Sequence, residues 1–234
     1  TIIQFNGNQG PASATGVGHD RELYLTSSRQ VVFGTWPTES HSNNLDKVIT
    51  SPASYNDTAW HHAVGTIGPD GMKLYVDGAL VAADATVTYS DSWTANGVVG
   101  NWHIGCGVYG SGGGYGSSAN KPTATNITAS LDEVAVYDRV LTPAEVAAHY
   151  AAASRTGTLP AYPSVVKADS PWAYQRFSAP RGTQQISTGV YSILDNDTAT
   201  GSSTTVSDVF SGAMEAYTFG AGVRPTAGAI AGDA

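Results

Sequence analysis

Between Trp60 and Ala82 the chain is punctuated by Asp-Gly pairs that cut it into short runs. Trp60-His61-His62-Ala63-Val64-Gly65-Thr66-Ile67 reads as a strand, and Pro69-Asp70-Gly71 turns it back. Met72-Lys73-Leu74-Tyr75-Val76-Asp77 then returns, and Asp77-Gly78 leads into Leu80-Val81-Ala82. Asp-Gly supplies the left-handed backbone of a tight hairpin turn. A period of two places Met72, Leu74 and Val76 on one face. Such a stretch must form antiparallel sheet and cover one face of it with another layer. The same reading finds strands at Arg21–Thr26, Gln30–Gly34, Leu131–Tyr137, Trp172–Phe177 and Ala213–Phe219. Many short strands with Gly-rich turns predict an all-β, two-sheet sandwich or jelly roll.

One short helix is expected in this fold. Thr142 is a good N-cap, Pro143 sits at the first helical position, and Glu145 at the third completes a capping box. Leu141 and Val146 have the spacing of a hydrophobic staple. The helix is expected over Pro143–Ala153, packed by Val146, His149 and Tyr150, at a domain end. Residues 154–166 contain two prolines and read as a linker. Residues 182–208 are rich in Ser, Thr, Gly and Asp and show no clear period.

Composition removes several functions. Hydrophobic residues make up 41% of the 234, enough for a real core. Charged residues are 13%, with 11 basic against 19 acidic and a net charge of -8. No basic stripe exists to follow a phosphate backbone or an anionic bilayer, so neither nucleic acid nor anionic lipid is an expected partner. No apolar run approaches the roughly 20 residues of a membrane span, so membrane insertion is not expected. The single cysteine, Cys106, excludes an internal disulfide and a Cys-based zinc cluster. The opening Thr1-Ile2-Ile3-Gln4-Phe5 reads as a strand cut from a longer chain.

Four motifs in order resemble a known family. They are Asp57-Thr-Ala-Trp60-His61-His62-Ala-Val, Gly71-Met-Lys-Leu-Tyr-Val-Asp77-Gly78, Leu131-Asp-Glu-Val-Ala-Val-Tyr137, and Leu141-Thr-Pro-Ala-Glu-Val-Ala-Ala-His-Tyr150. They resemble the laminin G-like, concanavalin A-like jelly roll of bacterial surface proteins and phage tail proteins. The resemblance implies two facing antiparallel sheets with a short helix after the last core strand. Tyr162-Pro-Ser-Val-Val-Lys-Ala-Asp-Ser-Pro-Trp172-Ala-Tyr174-Gln-Arg176 is similar to the family's opening strand, and Gly228–Asp233 to a segment before its next strands. Thr1–Phe5 resembles a strand from mid-sheet. The expected organisation is a jelly roll over 1–153 lacking its first strands, a linker over 154–166, and over 167–234 the first strands of a second repeat or strands completing the first. A sandwich short of strands is expected to be completed by a neighbouring segment or chain. The rival is a circular permutant whose C-terminal strands pair back onto residues 1–150.

The related fold also hosts glucanases, which need two glutamates around an aspartate on one strand face. The glutamates here are Glu22, Glu39, Glu133, Glu145 and Glu215, and none has Asp two residues on. Asp132 and Glu133 are adjacent, and on one strand they would face opposite ways. No Gly-x-Ser-x-Gly elbow occurs, and the glycine-rich Gly110–Gly116 lacks the lysine and helix of a phosphate loop. His61 and His62 would point to opposite faces of a strand, with His62 beside Trp60 and Val64. No enzyme activity is expected.

No motif demands a cofactor. Domains of the family the chain resembles often hold calcium at the rim between the sheets. Asp20 and Asp91 are the candidate metal ligands, with Asp46, Asp57 and Asn96 as further loop oxygens. No spacing here resembles a calcium cage, and surface solvation is the competing role of each. Trp36, Trp93, Tyr109 and Tyr115 lie in polar, Gly-rich loops and are the candidate ligand-binding residues, because a pyranose stacks its apolar face on an aromatic ring. Trp102 reads as a core residue. The sequons at Asn56, Asn126 and Asn196 carry little weight alone. The expected function is a non-catalytic carbohydrate- or surface-binding adhesion module of a larger extracellular or virion protein. Its partners would be a glycan or cell-surface protein, together with neighbouring repeats or subunits. The alternative is a structural spacer or assembly domain of a tail or surface fibre. A third reading is a glycan-active enzyme with an unfamiliar site.

Overall fold

A computed structural model of the chain describes residues 1–6, 19–35, 47–90, 101–105, 127–154, 162–176, 202–208 and 212–219. The chain divides into two compact units. One holds Thr1–Val76 and Leu80–Ile127, the other Asp77–Ala79 and Thr128–Ala234.

The first unit is built from β1 (Ile3–Asn6), β2 (His19–Leu25), β3 (Gln30–Thr35), β4 (Lys47–Ser54), β5 (Ala63–Gly68), β6 (Gly71–Val76), β7 (Ala79–Asp84) and β8 (Asn101–Ile104). A five-stranded sheet has the order β4-β3-β2-β1-β8, and a three-stranded sheet the order β5-β6-β7. The opening strand β1 therefore lies inside its sheet, paired antiparallel with β2 and with β8.

Register explains the core. Ile104, Ile3, Leu23, Phe33 and Ile49 stand in one row across all five strands. Ile3, Leu23, Phe33 and Ile49 are buried. The Phe33 ring lies on Gly65 of β5, so close that a Cβ there would sit 2.5 Å from the ring. This apolar row is thus the face that meets the second sheet. On β6, Met72, Leu74 and Val76 pair with Ile67, Gly65 and Ala63, so they share the face of Gly65, and all three are buried as the alternation predicts. Gly71 (φ 96°) takes the left-handed turn conformation expected of Asp70-Gly71, with Ala85 backbone against it.

The strand expected from Trp60 begins only at Ala63. Asp57 Oδ1 accepts a hydrogen bond from the Ala59 N–H and pairs with His61 Nε2, both at 2.9 Å. This side-chain turn holds 57–61 out of the ladder. His61 and His62 therefore do not sit on a strand.

The second unit contains β9 (Ala129–Leu131), β10 (Val134–Val136), α1 (Pro143–Ser154), α2 (Tyr162–Ala168), β11 (Ala173–Gln175), β12 (Ser202–Asp208) and β13 (Gly212–Phe219). The single strand expected over Leu131–Tyr137 is broken at Asp132-Glu133. Glu133 has φ 54°, and its N–H is bonded to Asp132 Oδ1. The break sends β9 into a sheet ordered β12-β13-β9, and β10 into a pair with β11. The strands expected near Trp172–Phe177 and Ala213–Phe219 thus pair antiparallel with residues 129–136 of the same chain.

The start of α1 follows its sequence signals. Thr142 Oγ1 accepts from the Glu145 N–H at 3.2 Å, and Glu145 Oε2 accepts from the Thr142 N–H at 2.6 Å. Leu141 and Val146 are both buried. The expectation of one short helix needs correction, because α2 is a second one, and residues 162–166 of the expected linker are helical. Tyr162 and Val166, one turn apart, bury against Ala152 and Ala153 of α1, and Pro163 falls in the first turn, where its missing N–H is no loss.

Candidate functional site

Asn6, His19, Thr35, Lys47 and Asn101 stand at one end of the five-stranded sheet. Segments 7–18, 36–46 and 91–100, which lie outside the described residues, join the sheet there. Thr35 Oγ1 donates to Ser90 Oγ at 2.6 Å. Thr35 immediately precedes Trp36, and Ser90 immediately precedes Asp91, so one hydrogen bond ties the roots of these two candidates together. Asp20 lies at the same end, opposite Phe5 in the ladder.

Half-buried aromatic groups line the described part of this end. The Phe5 and Trp102 rings meet edge-on with centroids 5.3 Å apart, and the Arg21 guanidinium lies 5.1 Å from the Phe5 centroid. Arg21 has φ 47°, at the irregularity where the β1–β2 register shifts. Trp102, expected in the core, is half-buried. It is the second residue of β8, near the end of the sheet and not in its middle.

Trp36, Trp93, Tyr109, Tyr115 and Asp91 lie outside the described residues, as do Asp46, Asn96 and Gly110–Gly116. The flanks of 106–126, which carries Tyr109 and Tyr115, are at the other end of the sheet. Gly105 N–H donates to the Ile2 carbonyl at 2.8 Å, and Ile127 N–H to the Gly105 carbonyl at 3.0 Å. Thus Thr35 and Ser90, which precede Trp36 and Trp93 in the chain, stand at one end of the sheet, and Gly105 and Ile127, which flank 106–126, at the other.

A second polar feature escaped the sequence reading. His103, Gln4 and Glu22 stand side by side on β8, β1 and β2, in the row next to the apolar one and on the opposite face of the sheet. Gln4 and Glu22 are fully buried and His103 nearly so. Gln4 Nε2 donates to Glu22 Oε2 at 2.5 Å. Gly34 continues the row beyond Glu22. The available signal was a polar residue between two apolar neighbours in Ile3-Gln4-Phe5 and Trp102-His103-Ile104. Only register brings those residues together.

Several other described carboxylates are also engaged. Glu133 is buried and accepts from the Tyr174 hydroxyl and from Arg176 Nε and Nη2, each nitrogen at 3.2 Å. Burial, then the Glu133 charge, raises the Tyr174 phenol above its ordinary range. Asp57, offered as a loop oxygen, is taken up by Ala59 and His61. His149, almost fully buried, pairs through Nε2 with Asp169 Oδ2 at 2.7 Å. Among the described residues no three His, Cys, Asp or Glu side chains gather as a metal site. Among them, too, no helix is long and apolar enough to cross a membrane.

Two facing antiparallel sheets with a capped helix after the core strands define a concanavalin A-like sandwich. The profile of the concanavalin A-like lectin/glucanases superfamily, in its laminin G-like form, matches residues 2–147, and the chain belongs to this family. A search of curated proteins finds no match. Among solved structures, the chain is similar to residues 221–444 of an S-layer domain-containing protein from Clostridium thermocellum. The two share 18% identity, over 56% of this chain and 63% of that one, with a TM-score of 0.34. The chain thus spans less than two thirds of that structure's length.

Proposed function

We propose that the chain is a non-catalytic recognition module of an extracellular, cell-surface or virion protein, with a glycan or a surface protein as its ligand. The Thr35–Ser90 hydrogen bond supports this reading, because it ties together the two described residues from which the chain continues to Trp36 and Trp93. Two indole rings on neighbouring roots can present flat apolar faces to a saccharide, while the scaffold keeps the ordering cost low. Family membership supports the lectin side of this reading. The described glutamates favour binding over hydrolysis, since Glu22, Glu133 and Glu145 are each held by structural hydrogen bonds. Calcium, which related domains often hold, would draw on Asp20 and on Asp91, the residue after Ser90 in the chain.

The test is a glycan-array screen of the full chain, followed by titration of the best binder with and without EDTA. Trp36→Ala and Trp93→Ala should each weaken binding at least tenfold with unfolding midpoints unchanged. Unchanged affinity in both variants would remove the rim from the reading. Turnover of a polysaccharide panel would replace it with catalysis. No binding to any glycan or cell surface would leave the spacer.

A further inference from the structure

We infer that residues 162–176 form a clasp, in which α2 and β11 close together over α1 and β10, with Glu133 as its buried latch. This goes beyond the recognition reading and does not rest on it. The family match ends at residue 147, but the packing does not. Ala152 and Ala153, at the end of α1, bury against Tyr162, Val166 and Tyr174, with Ala135, Tyr137 and Val165 around them. Most of the apolar partners of this helix end therefore come from the later segment.

The clasp is polar at both ends. At one end, the Glu133 side chain is 1% exposed, and its bonds come from Tyr174 and Arg176. Glu133 also holds a left-handed backbone (φ 54°), which is strained for a non-glycine residue and persists only where surrounding contacts enforce it. At the other end, Asp169 follows α2. It pairs with His149 of α1, and its carbonyl accepts from Arg139 Nη2 at 3.0 Å, while its Oδ1 lies 3.4 Å from the same guanidinium. Arg139 is in turn bonded to Glu145. A carboxylate buried as Glu133 is cannot lose its donors and stay in place. Opening one end therefore strips the apolar middle, and the segment moves as a unit.

Hydrogen exchange on the full chain tests this. Glu133→Gln should speed exchange together, at least tenfold, in residues 134–136, 146–153 and 162–175, while β2 and β3 amides keep their rates. Tyr174→Phe, which keeps the ring and removes one donor, gives the same set with a smaller increase if Glu133→Gln fails to fold. Asp169→Asn, at the far end, must release the same amides. Increases confined to the neighbourhood of each substitution would overturn the clasp, as would a uniform rise across the chain. Sedimentation at micromolar concentration completes the test. A monomer is expected, and a dimer that dissociates on Glu133→Gln would mean that copies exchange the segment, against the proposal.

Discussion

Gly65 and Glu22 show how much a single side chain decides here. A methyl group at Gly65 would meet the Phe33 ring at 2.5 Å. Gly65→Ala should destabilise the fold by about 1–3 kcal/mol through overpacking, read as a lower urea midpoint. Phe33→Leu introduced with it should recover part of that loss, whereas additive effects would show that the two do not touch. Glu22→Ala removes the buried acceptor of the Gln4 amide and should cost about 1–3 kcal/mol. Neither site could be read from the chain alone. Gly65 looks like any strand glycine until Phe33 is placed above it, and Gln4, Glu22 and His103 are far apart until register aligns them. The apolar alternation of Met72, Leu74 and Val76 was legible because its period is local.

Elements were legible where their signals lie within a few residues. The start of α1 is such a case, since cap, proline and capping glutamate are neighbours. Thr142→Ala should cost about 1 kcal/mol, seen as a lower thermal midpoint. The Arg139 guanidinium, then the Thr142 N–H, hold the Glu145 carboxyl down to about 2, below its ordinary 4.5. A lowered folded value means that this stabilisation is present above about pH 4.5 and fades as pH falls toward 2. The stability gap between the protein and Glu145→Gln should therefore be full at pH 6 and close near pH 2. Because Glu145 is partly exposed, molar salt should shrink it as well. A gap that does not change with pH would remove the ionic part of the cap. The broken strand at Glu133 and the helix at Tyr162 were not legible. The first depends on Tyr174 and Arg176, and the second on the alanines of α1, partners that local pattern does not name.

For the molecule as a whole, the family and the sandwich could be read in advance because four motifs fall in order along the first 150 residues. The destination of the C-terminal strands could not, since strand pairing across long separations leaves no local mark. With β11 on β10 and β13 on β9, the chain is expected to sediment as a 24.1 kDa species. Concentration-dependent growth toward filaments would instead show that copies complete one another's sheets. The Glu133–Arg176 pair also has a consequence in time. Its two residues are 43 apart in the chain. At roughly 5–20 residues per second, a ribosome adds Arg176 about 2–9 s after Glu133. Over that interval the carboxylate lacks the Tyr174 and Arg176 donors and resists burial. Vectorial synthesis thus delays this corner until its arginine is added, so a released chain truncated between the two should leave α1 open to protease.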